Sequence, residues 1–315
     1  MSATLGGLRP AHPESKMPEL PDVEVYVDRL RAHCLGQKLS SVRLKSPFLL
    51  RSYEPPLNEV FNKRVVGFRR LGKRIVTELE GDLFLVLHLM VAGRLRKAEH
   101  GVALKTKLTL AAFDFEDCSI VLTEAGSKKR ASLYVVAGAS ELSKFERGGI
   151  EPLDATRKQF REALLRENRT LKRALTDPRI FSGIGNAYSD EMLHAARLSP
   201  VKRTSQLTTL ECGRLFTACQ KTLKKWRDEL RREVGDGFPD KVTAFRDGMS
   251  VHGRYRQPCP VCGTPVQRIR YAHNEVNYCP TCQTGGRLLA DRTLSRLLKS
   301  DWPKSLEELD ERLGR

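Results

Sequence analysis

Long apolar runs are missing from this 315-residue chain. No stretch approaches the roughly 18–20 residues that a helix needs to span a bilayer, so a membrane is not an expected partner. The first sixteen residues, MSATLGGLRPAHPESK, carry Pro, Gly and Ser and lack the roughly 7–15-residue apolar core of a secretory signal. Residues 1–17 therefore read as a disordered leader or as upstream translated sequence. No internal repeat is present, which argues against solenoid and propeller architectures. Acidic residues are too few to balance the basic ones. Against 55 Lys and Arg stand 38 Asp and Glu, a formal charge of +17. A globular protein this basic is expected to meet a polyanion; a merely soluble basic surface is the alternative. Cysteine does not form a secreted-type framework. Cys34, Cys118, Cys212 and Cys219 are scattered as small buried apolar residues would be, which fits a reducing, cytoplasmic compartment.

What is present divides into two halves of different periodicity. Val23, Val27, Leu30 and Cys34 follow i, i+4, i+7 spacing and predict a helix stopped at Gly36. Strands are expected at Leu39–Leu44, Val65–Leu71, Ile75–Leu79, within Leu83–Val91, and at Leu108–Phe115, Ile120–Thr123 and Leu133–Val136. A Gly72-Lys73 turn separates the second from the third. Many short strands with turn signals suggest a β-sandwich. Beyond Gly148-Gly149 the pattern becomes helical, at Arg157–Asn168, Leu171–Leu175, Ala187–Ala196 and Thr209–Glu233. Residues 235–257 read as a loop. The tail is expected to hold two short helices, the second capped by Ser305 with Glu308 three residues on.

Cys259, Cys262, Cys279 and Cys282 stand in the C-x2-C…C-x2-C spacing of a four-thiolate zinc site. Four thiolates close a tetrahedral shell and leave no place for water, so such a site is structural. Two disulfides are the alternative, disfavoured by the compartment. Between the pairs, Val266, Arg268, Ile269, Arg270 and Tyr271 alternate like a basic β-hairpin. That hairpin is either a nucleic-acid probe or a folding staple.

A second motif is Gly183-Ile184-Gly185-Asn186, a glycine-rich turn feeding a helix. The Gly185, Asn186 and Ala187 amides at that helix start suit a phosphate, because a helix N-terminus carries unpaired N–H groups and partial positive charge. Lys172, Arg173, Lys202 and Arg203 add cations nearby. An ordinary turn is the alternative.

The third motif is Met17-Pro18-Glu19-Leu20-Pro21-Asp22-Val23-Glu24. Methionine is readily clipped before a small residue such as proline. Cleavage after Met17 would leave Pro18 with a free secondary amine. An α-amino group titrates near ~7.7–8.0, so roughly a tenth is unprotonated at neutral pH without any burial. Such an amine can attack a sugar carbon or an aldehyde. In the chain as written from Met1, Pro18 is an amide and has no lone pair to offer.

Together these motifs resemble the formamidopyrimidine-DNA glycosylase and endonuclease VIII family, over about residues 18–287. The resemblance rests on Pro18–Glu24, Gly183–Asn186 and the four cysteines in the same order. It implies a multidomain α+β fold: a two-layer β-sandwich flanked by helices at 18–148, a helix–two-turns–helix DNA-binding domain at 149–250 and a zinc finger at 251–287. Residues 288–315 would be a helical extension past the usual finger. It further implies a monomeric base-excision-repair enzyme, nucleoid-associated if bacterial, that acts on damaged double-stranded DNA with one structural zinc. The target nucleotide is flipped from the stack. Pro18 would attack C1′ as nucleophile and Glu19 would handle protons as general acid/base. Lys73 matches the family's catalytic lysine. His88 matches a phosphate contact, and Asn186 and Lys172 match DNA-binding positions.

The chain departs from the family pattern at four places. Asp22 replaces a glutamate. Val91 replaces the methionine of the purine-lesion members. Residues 123–131 hold Lys128, Lys129 and Arg130 but no aromatic wedge. Asn274 replaces the finger arginine that assists the second elimination. These changes leave open whether an oxidised purine or an oxidised pyrimidine is recognised. A DNA-binding protein without catalysis is the reading if Pro18 stays internal.

Overall fold

The computed structural model describes residues 17–126, 128–239, 246–271, 274–290 and 302–313. The expected leader, the first tail helix and part of the 235–257 loop lie outside the described residues.

Helix α1 spans Leu20–Cys34. Pro21 in its first turn lacks an N–H that would be unpaired there anyway, and Asp22 places negative charge at the positive end. Arg31 and His33 complement the other end. The chain leaves through Gly36, whose φ of +80° is open to glycine.

Eight strands follow: β1 (Lys38–Leu44), β2 (Lys63–Leu71), β3 (Arg74–Leu79), β4 (Leu83–His88), β5 (Gly93–Glu99), β6 (Thr109–Phe115), β7 (Cys118–Glu124) and β8 (Ser132–Ala137). Their order is β5-β7-β6-β1-β2-β3-β4-β8, all antiparallel. Two four-stranded halves are joined where Lys38 pairs with Arg64 and Leu39 with Lys63. Val42, Leu95 and Ile120 of one half share a core with Val65, Ile75 and Leu87 of the other, so the halves form the two layers of a sandwich. Val23, Tyr26, Val27 and Leu30 of α1 bury themselves in the same core. The alternate residues of β4 are also buried: Phe84 and Val86 pack with Val76, Val136 and Leu142 on the other face. That second cover explains why the β4 stretch reads as a continuous apolar run.

The helical half contains α2 (Arg157–Leu165), α3 (Leu171–Thr176), α4 (Asn186–Ala195) and α5 (Thr209–Val234). A capping box starts α5: Thr208 Oγ1 accepts the Glu211 N–H, and Glu211 accepts the Thr208 N–H. Phe160, Leu175, Phe181, Tyr188, Leu223 and Trp226 form its core. Leu20, the first residue of α1, belongs to this helical core, and its N–H donates to the Gly183 carbonyl at 2.9 Å. The start of α1 is thus shared between the two halves.

A hairpin of β9 (Gln267–Tyr271) and β10 (Asn274–Tyr278), then α6 (Pro280–Thr284), make up the cysteine module. Tail residue Leu289 packs on Ile269, Val276 and Tyr278, and its N–H donates to the Tyr278 hydroxyl. The last helix, α7 (Leu306–Leu313), is preceded by Ser305, whose Oγ accepts the Glu308 N–H at 3.2 Å.

Candidate active site and metal centre

A cleft of about 670 Å³ lies where the sandwich meets the helical half. Met17, Lys73, Arg74 and His88 line it from one side, and Gly149, Ser182 and Gly183 from the other. Pro18 and Glu19, the residues that follow Met17, are buried.

Glu19 is 4% exposed and reaches across the domain boundary. Its carboxylate accepts the N–H groups of Gly185 and Ala187, each at 2.8 Å, and that of Tyr188 at 3.4 Å. These are the unpaired amides at the start of α4. The sequence reading of this helix start as a phosphate site is therefore corrected: the anion there is a carboxylate of the chain itself. Glu19 is also the N-cap of its own helix, α1, where Asp22 accepts its backbone N–H. Its carboxylate satisfies a helix 166 residues away.

Lys73 sits in the β2–β3 turn, as the Gly72-Lys73 pair predicts. Its Nζ and the Glu19 carboxylate crowd the same point. A Cβ built on Gly185 would lie 2.5 Å from Lys73 Nζ and 2.3 Å from Glu19 Cδ. Glycine is required here by this close approach. Burial lowers the Lys73 pKa below the usual lysine range, against the pull of the Glu19 and Asp22 carboxylates. A lysine so placed gives up its proton more readily than an exposed one.

His88 ends β4, paired with Arg74 on one side and Ser132 on the other. Its Nδ1 accepts the Met90 N–H at 2.9 Å. The ring proton of the neutral imidazole must then sit on Nε2, leaving a donor. Burial, aided by Arg74 and Lys73, brings its pKa down to about 4, so the ring is neutral at pH 7. Arg74, which the sequence reading passed over, has its Nη1 on the Phe145 carbonyl at 3.3 Å and its Nε without a partner among the described residues. Its place directly after Lys73 was the available signal. Arg70 is taken up internally, by Glu24 at 3.1 Å, by Glu151 and by the Gly72 carbonyl.

The two helical-domain candidates are both engaged within the protein. Lys172 is 8% exposed, with its Nζ on Asp190 Oδ1 at 2.5 Å and on the Asn186 carbonyl at 2.6 Å. Asp190 also meets His252 Nδ1 at 2.7 Å. The Asn186 side chain donates to the Glu275 carbonyl at 2.8 Å, tying α4 to the β9–β10 hairpin. Lys172 is thus held inside, whereas Asn186 is half-buried.

The four cysteines come together. Their sulfurs lie within 4.8 Å of one another, with Cys259–Cys282 at 3.9 Å and Cys262–Cys279 at 3.3 Å. A zinc ion with bonds of about 2.3 Å sets tetrahedral edges of about 3.8 Å, so the cluster fits the ion. Gly263, at φ +75°, makes the first knuckle by returning its N–H to the Cys259 carbonyl. His194 of α4 sets its Nε2 3.3 Å from Cys259 Sγ. Glu191, also on α4, accepts the N–H groups of Ser250, Val251 and His252. The cysteine cluster is thereby anchored to the same helix that Glu19 caps. The Asn274 side chain lies outside the described residues.

Comparison with known proteins agrees with this layout. Residues 17–125 match the formamidopyrimidine-DNA glycosylase N-terminal domain, 149–227 the H2TH domain of that enzyme, and 256–285 the zinc finger found in FPG and IleRS. Formamidopyrimidine-DNA glycosylases of Desulforamulus reducens and Thermus thermophilus are 31% and 34% identical over 279 and 284 residues, covering 85% and 86% of this chain and 99% and 100% of those proteins. Of the solved structures, a Lactococcus lactis Fpg complex with DNA containing an abasic site superposes with a TM-score of 0.73 at 26% identity, over 84% of this chain and 99% of that one. The Thermus thermophilus Fpg structure gives 0.71 at 32% identity, over 84% and 98%.

Proposed function

The chain belongs to the formamidopyrimidine-DNA glycosylase family, and from that premise we propose that it is a base-excision-repair DNA glycosylase with abasic-site lyase activity. The observation that carries the reading is the convergence of Glu19 and Lys73 at Gly185, behind a cleft lined by Met17. With Met17 removed, the Pro18 nitrogen gains a lone pair at this place.

The Pro18 amine attacks C1′ of the damaged nucleotide. The glycosidic bond breaks, and the base leaves with the electron pair and takes up a proton. The amine loses its own proton, the C1′–O4′ bond opens as Glu19 delivers a proton to the ring oxygen, and an iminium results. The iminium acidifies C2′, loss of that proton expels the 3′ phosphate, and hydrolysis frees the enzyme. Glu19, held by the α4 amides, serves protons at the sugar. Lys73, with its lowered pKa, is the second proton carrier. The His88 Nε2–H and the Arg74 guanidinium suit the phosphates flanking the flipped nucleotide. Cys259, Cys262, Cys279 and Cys282 would hold one zinc ion, which would shape the finger and take no part in bond making.

Lys172 acts on DNA from inside, by fixing α4, and the half-buried Asn186 is a DNA-binding position that also ties α4 to the hairpin. Met17 as functional start is part of the reading, supported by the family match that begins at residue 17. Because Val91 and the loop at 123–131 depart from the purine-lesion pattern, an endonuclease VIII-like preference for oxidised pyrimidines is the second reading. Duplexes carrying single lesions separate the two.

Borohydride trapping on abasic DNA tests the chemistry. A chain beginning at Pro18 is expected to give a covalent adduct that is lost in Pro18→Gly. A chain retaining residues 1–17 is expected to bind the duplex without trapping. No adduct from a chain verified to start at Pro18 overturns the Schiff-base mechanism and leaves a DNA-binding protein.

A further inference from the structure

Arg246 is buried at the reactive end of the fold, although 224 residues separate it from the residue it meets there. Its side chain is 6% exposed, and Nη2 donates to Asp22 Oδ1 at 2.8 Å. Its Nη1 reaches Glu233 Oε2 at 3.3 Å, in the last turn of α5. The second Asp22 oxygen, Oδ2, accepts the Glu19 backbone N–H at 2.8 Å.

That N–H belongs to the peptide that joins Pro18 to Glu19. The pyrrolidine ring fixes φ at Pro18, so the remaining freedom of the residue is the torsion about its Cα–C bond. A hydrogen bond that holds the plane of the following peptide holds that torsion, and with it the direction of the Pro18 nitrogen. Asp22 supplies the hydrogen bond. Arg246 keeps the Asp22 carboxylate from turning, because it clamps the other oxygen while braced on α5.

We infer that Arg246 is a positioning residue: acting through Asp22, it sets the orientation of the Pro18–Glu19 peptide and so aims the nucleophile of the reaction proposed above. The inference rests on that reading for its consequence and on the hydrogen-bond chain for its geometry. A guanidinium suits the task because its rigid fork can hold two carboxylates on different helices at once, whereas an ammonium is a single point charge. Burying the charge has a desolvation cost that a purely local cap of α1 would not need, since Asp22 alone already satisfies the Glu19 N–H.

The test uses the zinc-loaded chain beginning at Pro18, with Arg246→Gln and Arg246→Lys. The first measurement is hydrogen exchange of the Glu19 amide by NMR, which needs no turnover. The second is the single-turnover rate of borohydride trapping at saturating abasic duplex, beside the duplex affinity. In Arg246→Gln, Glu19 exchange is expected to quicken by about tenfold or more, and trapping to slow by about tenfold to a hundredfold with affinity within about twofold. Arg246→Lys is expected to recover part of both. Unchanged Glu19 exchange overturns the inference, and so does faster exchange with an unchanged trapping rate. Affinity and trapping falling together would make Arg246 a folding residue only. A parent chain that traps nothing sinks the functional reading instead, and the exchange comparison still decides whether Arg246 holds the peptide.

Discussion

The Gly185 amide donates a 2.8 Å hydrogen bond to the carboxylate of Glu19, so the turn before α4 and the residue after Pro18 form one unit. A side chain at position 185 cannot share that space. Its Cβ would meet a carboxylate pinned by neighbouring amides, which has nowhere to move. Gly185→Ala is expected to reduce trapping of abasic DNA by about a hundredfold, the scale of a small displacement in a reacting constellation. Zinc content, measured in parallel, is expected to be unchanged.

His88 gives a pH signature. Its folded pKa of about 4 lies below the ordinary value of 6.5. The unfolded chain therefore binds more protons between those values, and stability rises with pH across that window. Its contribution is fully present above about pH 6.5 and is lost as pH falls toward 4. Urea unfolding at pH 4.5 and pH 7 is expected to show a smaller stability gap in His88→Gln than in the parent. Between pH 6 and 8 the ring stays neutral, and its NMR shifts are expected not to titrate.

The metal centre has a partner outside its four sulfurs. His194 faces Cys259 Sγ from α4 at 3.3 Å. His194→Ala is expected to weaken zinc binding by roughly 10–100-fold, the usual effect of removing a group that orients a ligand. Competition with a chromogenic chelator measures this. Full removal of the metal is expected to release one zinc per chain and to abolish duplex binding.

Lys172 separates two roles for a cation. Its partner Asp190 is fully buried and also holds His252. Lys172→Met leaves that carboxylate without its ammonium partner and is expected to cost about 3–5 kcal/mol in urea unfolding. A direct phosphate contact would instead lower the salt slope of duplex binding by about one, with stability unchanged.

Much of this was legible from residue spacing. Strands that face one core show their alternation, and the cysteine spacing marked a metal cluster before any fold was known. β5 was not legible. In Gly93–Glu99 only Gly93 and Leu95 are buried, because β5 lies at an end of the sheet, so the stretch reads as polar. The occupant of the α4 start was hidden for another reason. Helix geometry predicts that the amides need an anion, and nothing local says that Glu19 supplies it. Arg246 was hidden likewise, in a segment of weak periodicity whose buried pairing depends on three elements meeting. Signals carried by one element survive in the sequence, and those made by convergence do not.

The placement of Glu19 also has a mechanical consequence. Leu20 is packed in the helical core, while Val23 and Tyr26, on the following turns of the same helix, are packed in the sandwich core. The two bodies are therefore riveted together at the first turn of α1. Any rocking of one against the other that preserves the Glu19 and Leu20 bonds must turn about this spot. Points far along the lever arms, such as the finger and the distal strands, would sweep through large arcs to admit or release a duplex. The fulcrum itself would barely shift, and the reactive end of the chain sits on it.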